Sequence, residues 1–225
     1  MSALPQTPSL PVSTLELAHA PYFVQKVAVS EELRGRSRLD VFQPMCAGKR
    51  VLHVGCVDWP ITNLKQSLHL QLDGICELDG FDINIEAFEQ MQPHLKGRLF
   101  SSWDDVPKDH YDLVLVPEVM EHVPDVQGFL QHLQSLGAAQ YVITVPDAFS
   151  CFRQHFDYSS GAQTFVEVVH PDHNCWYTPY TLANVLRKYT SWDLQGMWFF
   201  NRMSLLAMAG PAAAQVDASD AEASA

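Results

Sequence analysis

Basic residues are scarce in this sequence of 225 residues: 14 Lys and Arg face 26 Asp and Glu, a formal net charge of −12. Phosphate backbones are held by clustered cations, so nucleic acid is not an expected partner, although net charge leaves room for a local basic patch. Long apolar runs are absent as well. No stretch approaches the ~18–20 uninterrupted apolar residues of a membrane span, and residues 1–20 lack the basic flank and apolar run of a signal peptide. Cysteine motifs are missing too, since Cys46, Cys56, Cys76, Cys151 and Cys175 form no Cys-x-x-Cys pair. An odd, scattered set of this kind points to reduced thiols and a cytoplasmic location. There is no internal repeat and no heptad pattern, so oligomeric state is not legible.

What is present suffices for one α/β domain, with 47% hydrophobic and 18% charged residues. Residues 1–20, rich in Pro, Ser and Thr, are expected to be loosely ordered. Residues 21–208 form the expected domain, and 209–225, small and acidic, a disordered tail. Apolar runs at 51–55, 78–84, 98–100, 112–116 and 141–145 read as strands. The run 112–116 is continuous, as in a strand covered on both faces. Helices are expected where Ile85, Phe88 and Met91 recur, after Pro124-Asp125, and after the cap Thr178-Pro179. Residues 149–161 show no clear periodicity. The last two apolar segments, around Asn201-Arg202, read as a hairpin. Strands joined through helices imply a mainly parallel sheet with helices on both faces and an antiparallel edge.

In such sheets ligands sit beyond the carboxyl ends of the strands. The residues there are Gly55, Cys56, Val57 and Asp58 after the first strand and Asp82 at the end of the second. Pro117-Glu118 and Pro146-Asp147 follow the fourth and fifth. This crest is acidic and holds no Lys or Arg, which suits a ligand with a ribose and a positive charge better than a pyrophosphate. Asp82 could accept hydrogen bonds from two ribose hydroxyls, or it could cap the helix that starts near Asn84.

Together, VLHVGC (51–56), GFDINIEAFEQM (80–91), SSWDDVP (101–107), YDLVLVPEVMEHVPD (111–125) and YVITVPD (141–147) resemble the class I S-adenosylmethionine-dependent methyltransferases in order and spacing. The resemblance implies a Rossmann-like methyltransferase sheet with an antiparallel C-terminal hairpin, and S-adenosyl-L-methionine as cofactor. It implies that Gly55, Cys56 and Asp58 pass the methionine part and that Asp82 holds the ribose. Ile83 would flank the adenine, Ser102 and Trp103 would lie near its amino edge, and Pro117 and Glu118 would face the sulfonium. The loop departs from the family pattern: His53 replaces an acid, Val57 and Trp59 replace glycines, and Ser102 replaces a frequent Asp. Side chains at 57 and 59 would crowd a ligand unless the loop takes another path.

The segment EVMEH places Glu121 and His122 three and four residues after Glu118, on one face if a helix starts there. Two carboxylates and an imidazole could hold a divalent metal, with His170 or His173 of HPDHNCWYT completing the set. EVMEH also resembles the small-RNA 2′-O-methyltransferases, which implies Glu118, Glu121, His122 and His173 as metal ligands. The metal-free reading, the one favoured at this level, makes His122, and after it His173, the catalytic base for a hydroxyl acceptor. The expected activity is methyl transfer to a hydroxyl or amine of a small-molecule acceptor, a glycan or its precursor being the one suggested by relatives with a similar HxxHxxxYT segment. Two other readings stand beside it: a non-catalytic partner-binding module of the same fold, and a metal-dependent RNA 2′-O-methyltransferase.

Overall fold

The computed structural model describes residues 26–58, 63–159 and 163–212. The expected loose segment 1–20, Trp59 of the first loop and the tail from residue 213 lie outside the described residues.

All five residues of β4 (Leu113–Pro117) are buried, the signature of a strand covered on both faces. Beside it runs β1 (Arg50–Val54), parallel to β4 on one side and to β2 (Glu77–Phe81) on the other. One edge continues to β3 (Leu99–Phe100), the other to β5 (Tyr141–Pro146). A small separate hairpin pairs β6 (Phe156–Ser159) with β7 (Thr164–Glu167). The expected C-terminal hairpin pairs β8 (Trp192–Phe200) with β9 (Ser204–Pro211), and β9 runs antiparallel to β5. Asn201 and Arg202 turn it with φ of 48° and 63°. The seven-stranded order is β3-β2-β1-β4-β5-β9-β8.

Pleating sorts the strand side chains onto two faces. Leu52, Val54, Val114, Val116 and Ile143 pack with Leu130 and Leu133 of α4 (Val126–Ser135) and Leu182 and Leu186 of α6 (Pro179–Tyr189). Val51, Leu113, Leu115 and Val142 pack on the other face with Val41 and Phe42 of α1 (Arg38–Cys46) and Leu68 and Leu72 of α2 (Leu68–Leu72). Asp125 caps α4 by accepting from Gly128 N at 3.0 Å, and Thr178 caps α6 by accepting from Thr181 N at 3.2 Å. No helix among the described residues is long and apolar enough to cross a membrane.

Three expectations need correction. The helix sought at Ile85–Met91 is a 3-10 turn, Ile85–Ala87, followed by a single turn, α3 (Phe88–Met91), and Ile85 is 59% exposed rather than part of a buried face. The aperiodic stretch after β5 contains a helix, α5 (Ala148–His155), which Asp147 starts by accepting from Ser150 N at 3.0 Å. Its large residues Phe149 and Phe152 face solvent while Cys151 is buried, so no core-facing stripe announced it. Finally, β9 runs to Pro211, so the boundary set after residue 208 falls inside a strand.

His53, standing where the resemblance expects an acid, is buried against His69 of α2, with the two Nδ1 atoms 3.2 Å apart. One ring must donate and the other accept, so the two imidazoles cannot both be protonated. Burial pushes both imidazoles down, His69 from the usual 6.5 to about 4. The unfolded chain therefore binds these protons first as pH falls. Stability is full above pH about 6.5 and is lost toward pH about 4, by on the order of 3 kcal/mol for His69. A His69→Gln protein should show a flatter pH dependence than the wild type in urea unfolding across this window; equal slopes would contradict the assignment.

Candidate active site

Because β1 pairs with β2 and β4, and the connections leave to opposite sides, a crevice opens at the carboxyl ends of these strands. Gly55 lines it with φ of 74°, and a Cβ at that position would lie 2.4 Å from Val119 Cγ2. Its N–H donates to Phe81 O at 2.8 Å, tying the loop to β2. Cys56 and Val57 turn inward and are buried with Ala87 and Met91. Val57, which replaces a glycine, therefore fills the core instead of the ligand space: the loop takes another path.

Asp82 is 6% exposed and joins the two loops. One oxygen accepts from Val57 N at 2.9 Å; the other accepts from Asn84 N at 2.9 Å and Asn84 Nδ2 at 3.1 Å. The bond to Asn84 N is the local turn contact weighed against the ribose role. A carboxylate offers about four acceptor positions, so room remains for one more donor. Next to it, Ile83 is 79% exposed, an unpartnered apolar surface beside the crest. Ser102 accepts from Asp104 N at 3.3 Å. Trp103 stacks between Phe81, at 3.7 Å between centroids, and His132, at 5.6 Å, so its indole is committed to packing.

At the tip of β4, Pro117 is buried and Glu118 has φ of 52°, so no helix starts there. Thr144 holds Glu118: its Oγ1 donates to Glu118 Oε1 at 2.7 Å, and its carbonyl accepts from Glu118 N at 2.9 Å. Burial pushes the Glu118 carboxyl up, against the hydrogen bonds from Thr144 and Ser204 and the charge of Arg38. The helical alignment expected for EVMEH is replaced by a 3-10 turn, Met120–His122.

Glu121, His122 and His173 converge, with one ligand atom from each lying within 4.8 Å of the others. Glu118, also expected as a ligand, is not among these three. Glu121 is 1% exposed, and neither of its carboxylate oxygens has a hydrogen-bond partner. Burial pushes it up to about 9, with the Glu118 charge adding to the effect. His173 Nδ1 is likewise buried without a partner, and His122 Nε2 lies 4.0 Å from Glu121 Oε1. Asn174 locks the two segments together, donating from its N to Glu121 O at 2.7 Å and from Nδ2 to His122 O at 2.6 Å. The His170 ring lies 5.3 Å from that of His122. Two imidazoles and a carboxylate with unused donor atoms fit a divalent transition-metal ion.

Sequence reasoning missed Arg38, Thr144 and Asn174. Arg38 lines a cavity with Asp58, and its position on α1 lies outside every quoted motif. Thr144 carried no signal inside its strand, and the only pointer to Asn174 was its neighbour His173.

A methyltransferase domain profile matches residues 33–190. Three solved structures share the architecture. An S-adenosylmethionine-dependent methyltransferase from Mesorhizobium loti is 14% identical with a TM-score of 0.54, over 76% of this chain and 95% of that one. The Burkholderia thailandensis 1,6-didemethyltoxoflavin-N1-methyltransferase, bound to S-adenosylhomocysteine, is 15% identical with a TM-score of 0.50, over 74% and 72%. The methyltransferase domain of a bacterial Hen1 is 19% identical with a TM-score of 0.50, over 76% and 93%. At such identities the likeness establishes the fold. No curated protein matches the sequence.

Gly55→Ala places a methyl group against Val119 in a left-handed backbone. It should lower unfolding free energy by about 1–3 kcal/mol in urea titrations; an unchanged midpoint would contradict this geometry.

Proposed function

The chain belongs to the methyltransferase domain family and is an S-adenosylmethionine-dependent methyltransferase, and we propose that it methylates a hydroxyl or amine of a small acceptor held at Glu121, His122 and His173. The observation that carries this reading is the Glu121 carboxylate, buried without a partner beside two imidazoles at the end of β4. A carboxylate in that setting needs a proton or a cation.

The cofactor supplies an electrophilic methyl group on a sulfonium for in-line displacement. The chain's own residues do the holding. Asp82, with its one remaining acceptor position, is the candidate for a ribose hydroxyl and Ile83 for one face of the adenine. The Gly55-Cys56 backbone, with Asp58, runs past the methionine part, and Ser102 and Trp103 close the adenine side through their backbone. Pro117 and the fixed carboxylate of Glu118 face the cationic sulfur, a favourable pairing of charge at an acidic crest. His122 and His173 present ring nitrogens at the acceptor side.

We favour a divalent ion at Glu121, His122 and His173, a change from the metal-free preference of the sequence reading. It supplies a Lewis acid beside the acceptor oxygen. The three residues orient that oxygen, and positioning is the main catalytic demand of a displacement. A glycan or glycan precursor is the acceptor class to screen first. An RNA acceptor is disfavoured by the 26 acidic against 14 basic residues.

Protein stripped with chelator and reloaded with Mn²⁺ should retain close to one ion per chain after gel filtration, and Glu121→Ala should retain none. Wild-type protein that retains no ion yet methylates a hydroxylated acceptor would overturn the metal assignment and return His122 to the role of base.

A further inference from the structure

The segments that follow β5 carry an aromatic surface separate from the residues assigned so far. Pairing of β6 with β7 sets Phe156 opposite Glu167, and Phe165 opposite Tyr158 nearer the turn. Side chains alternate along a strand, so Phe156, Phe165 and Glu167 share one face of the hairpin. Trp176, which follows His173 in the same segment, donates from Nε1 to Glu167 Oε1 and is thereby drawn to that face. His155, the last residue of α5, ties the helix to the hairpin, its Nδ1 donating to Val168 O at 2.6 Å.

The result is an unbroken row of rings that starts at the triad of Glu121, His122 and His173. Centroids lie 6.0 Å apart from His173 to Trp176 and 4.9 Å apart from Trp176 to Phe156. From Phe156 the row continues to Phe165 at 5.9 Å and to Phe152 of α5 at 6.3 Å. Its far end is uncovered, with Phe152 64% and Phe165 58% exposed. Polar atoms along the row are already committed: the Trp176 indole to Glu167 and the His155 Nδ1 to Val168 O. A bare sugar is gripped through hydrogen bonds around its rim, and this row offers mainly ring surface. It is also a row rather than a broad patch, and its inner member, His173, belongs to the triad itself. A small molecule lying along it therefore has one end where the acceptor atom is held.

We infer that the acceptor is amphipathic, with a hydroxyl- or amine-bearing head at the triad and an aromatic portion that packs along Trp176, Phe156 and Phe165. This rests on the acceptor reading of Glu121, His122 and His173 and narrows it. Among glycans and glycan precursors, those that carry an aromatic aglycone fit, and bare sugars do not.

Calorimetry with 2-naphthyl β-D-glucoside and methyl β-D-glucoside tests this, on protein incubated with Mn²⁺ and S-adenosylhomocysteine. The two probes share the sugar head, and only the first has fused rings. Wild type should bind the naphthyl glucoside roughly 10- to 100-fold tighter, from ring packing and the apolar area buried. Trp176→Ala should remove that preference, and Phe165→Ser, at an exposed position outside the core, should reduce it severalfold. Both variants should retain Mn²⁺ as wild type does, and thermal melts check that each is folded. The same affinity for both glucosides, absence of binding included, overturns the inference, as does a preference that survives both substitutions. Sedimentation covers the competing occupant: a wild-type dimer that Phe165→Ser renders monomeric assigns the row to a second copy of the chain and overturns it as well. Wild type that retains no Mn²⁺ yet shows the naphthyl preference, lost in Trp176→Ala, removes the ion at the triad and leaves the aromatic row standing.

Discussion

The parallel pairing of β1 with both β2 and β4 is the constraint on which the site depends. Because the chain leaves β1 toward one edge and β4 toward the other, loops from both halves of the sheet can meet above these two strands. The β1 and β2 loops are bound together through Asp82 and Val57 N. The β4 loop is bound to β5 through Thr144 and to the His173 segment through Asn174. Two separately braced walls thus face each other across one crevice, and methyl transfer is a reaction that requires two ligands to meet at a fixed distance.

The walls differ in chemistry. On the β2 side Ile83 presents an exposed apolar surface beside the buried carboxylate of Asp82, a match for a nucleoside. On the β4 side Glu118 and Glu121 lie in succession, one hydrogen-bonded by Thr144 and one without a partner. Burying both raises the cost of their charge, and the proximity of the two raises it further for Glu121. A cationic sulfur on one side and a divalent ion on the other would relieve that cost, so the acid-rich crest and the proposed ligands explain each other.

Much of this was legible in the sequence for simple reasons. The continuous run 112–116 required two covered faces, and Thr178-Pro179 and Asp125 marked helix starts by chemistry that acts locally. Where the signal failed, longer-range packing had decided the outcome. Nothing near Glu118 in sequence predicts its left-handed backbone, which follows from its hydrogen bonds to Thr144, 26 residues away. Val57 looked like an obstruction because its direction depends on Ala87 and Met91. The helix α5 escaped because its large residues point outward, and Arg38 because the cavity it lines is assembled from distant segments.

The account stands or falls on the two walls holding their ligands at once. A crystal grown with S-adenosylhomocysteine and Mn²⁺, with anomalous scattering recorded, measures this directly. The account predicts adenosine against Ile83 and Asp82, an anomalous peak between Glu121, His122 and His173, and the sulfur facing that peak across the crevice. A nucleoside bound elsewhere, or a crevice filled by the chain's own residues, would contradict it.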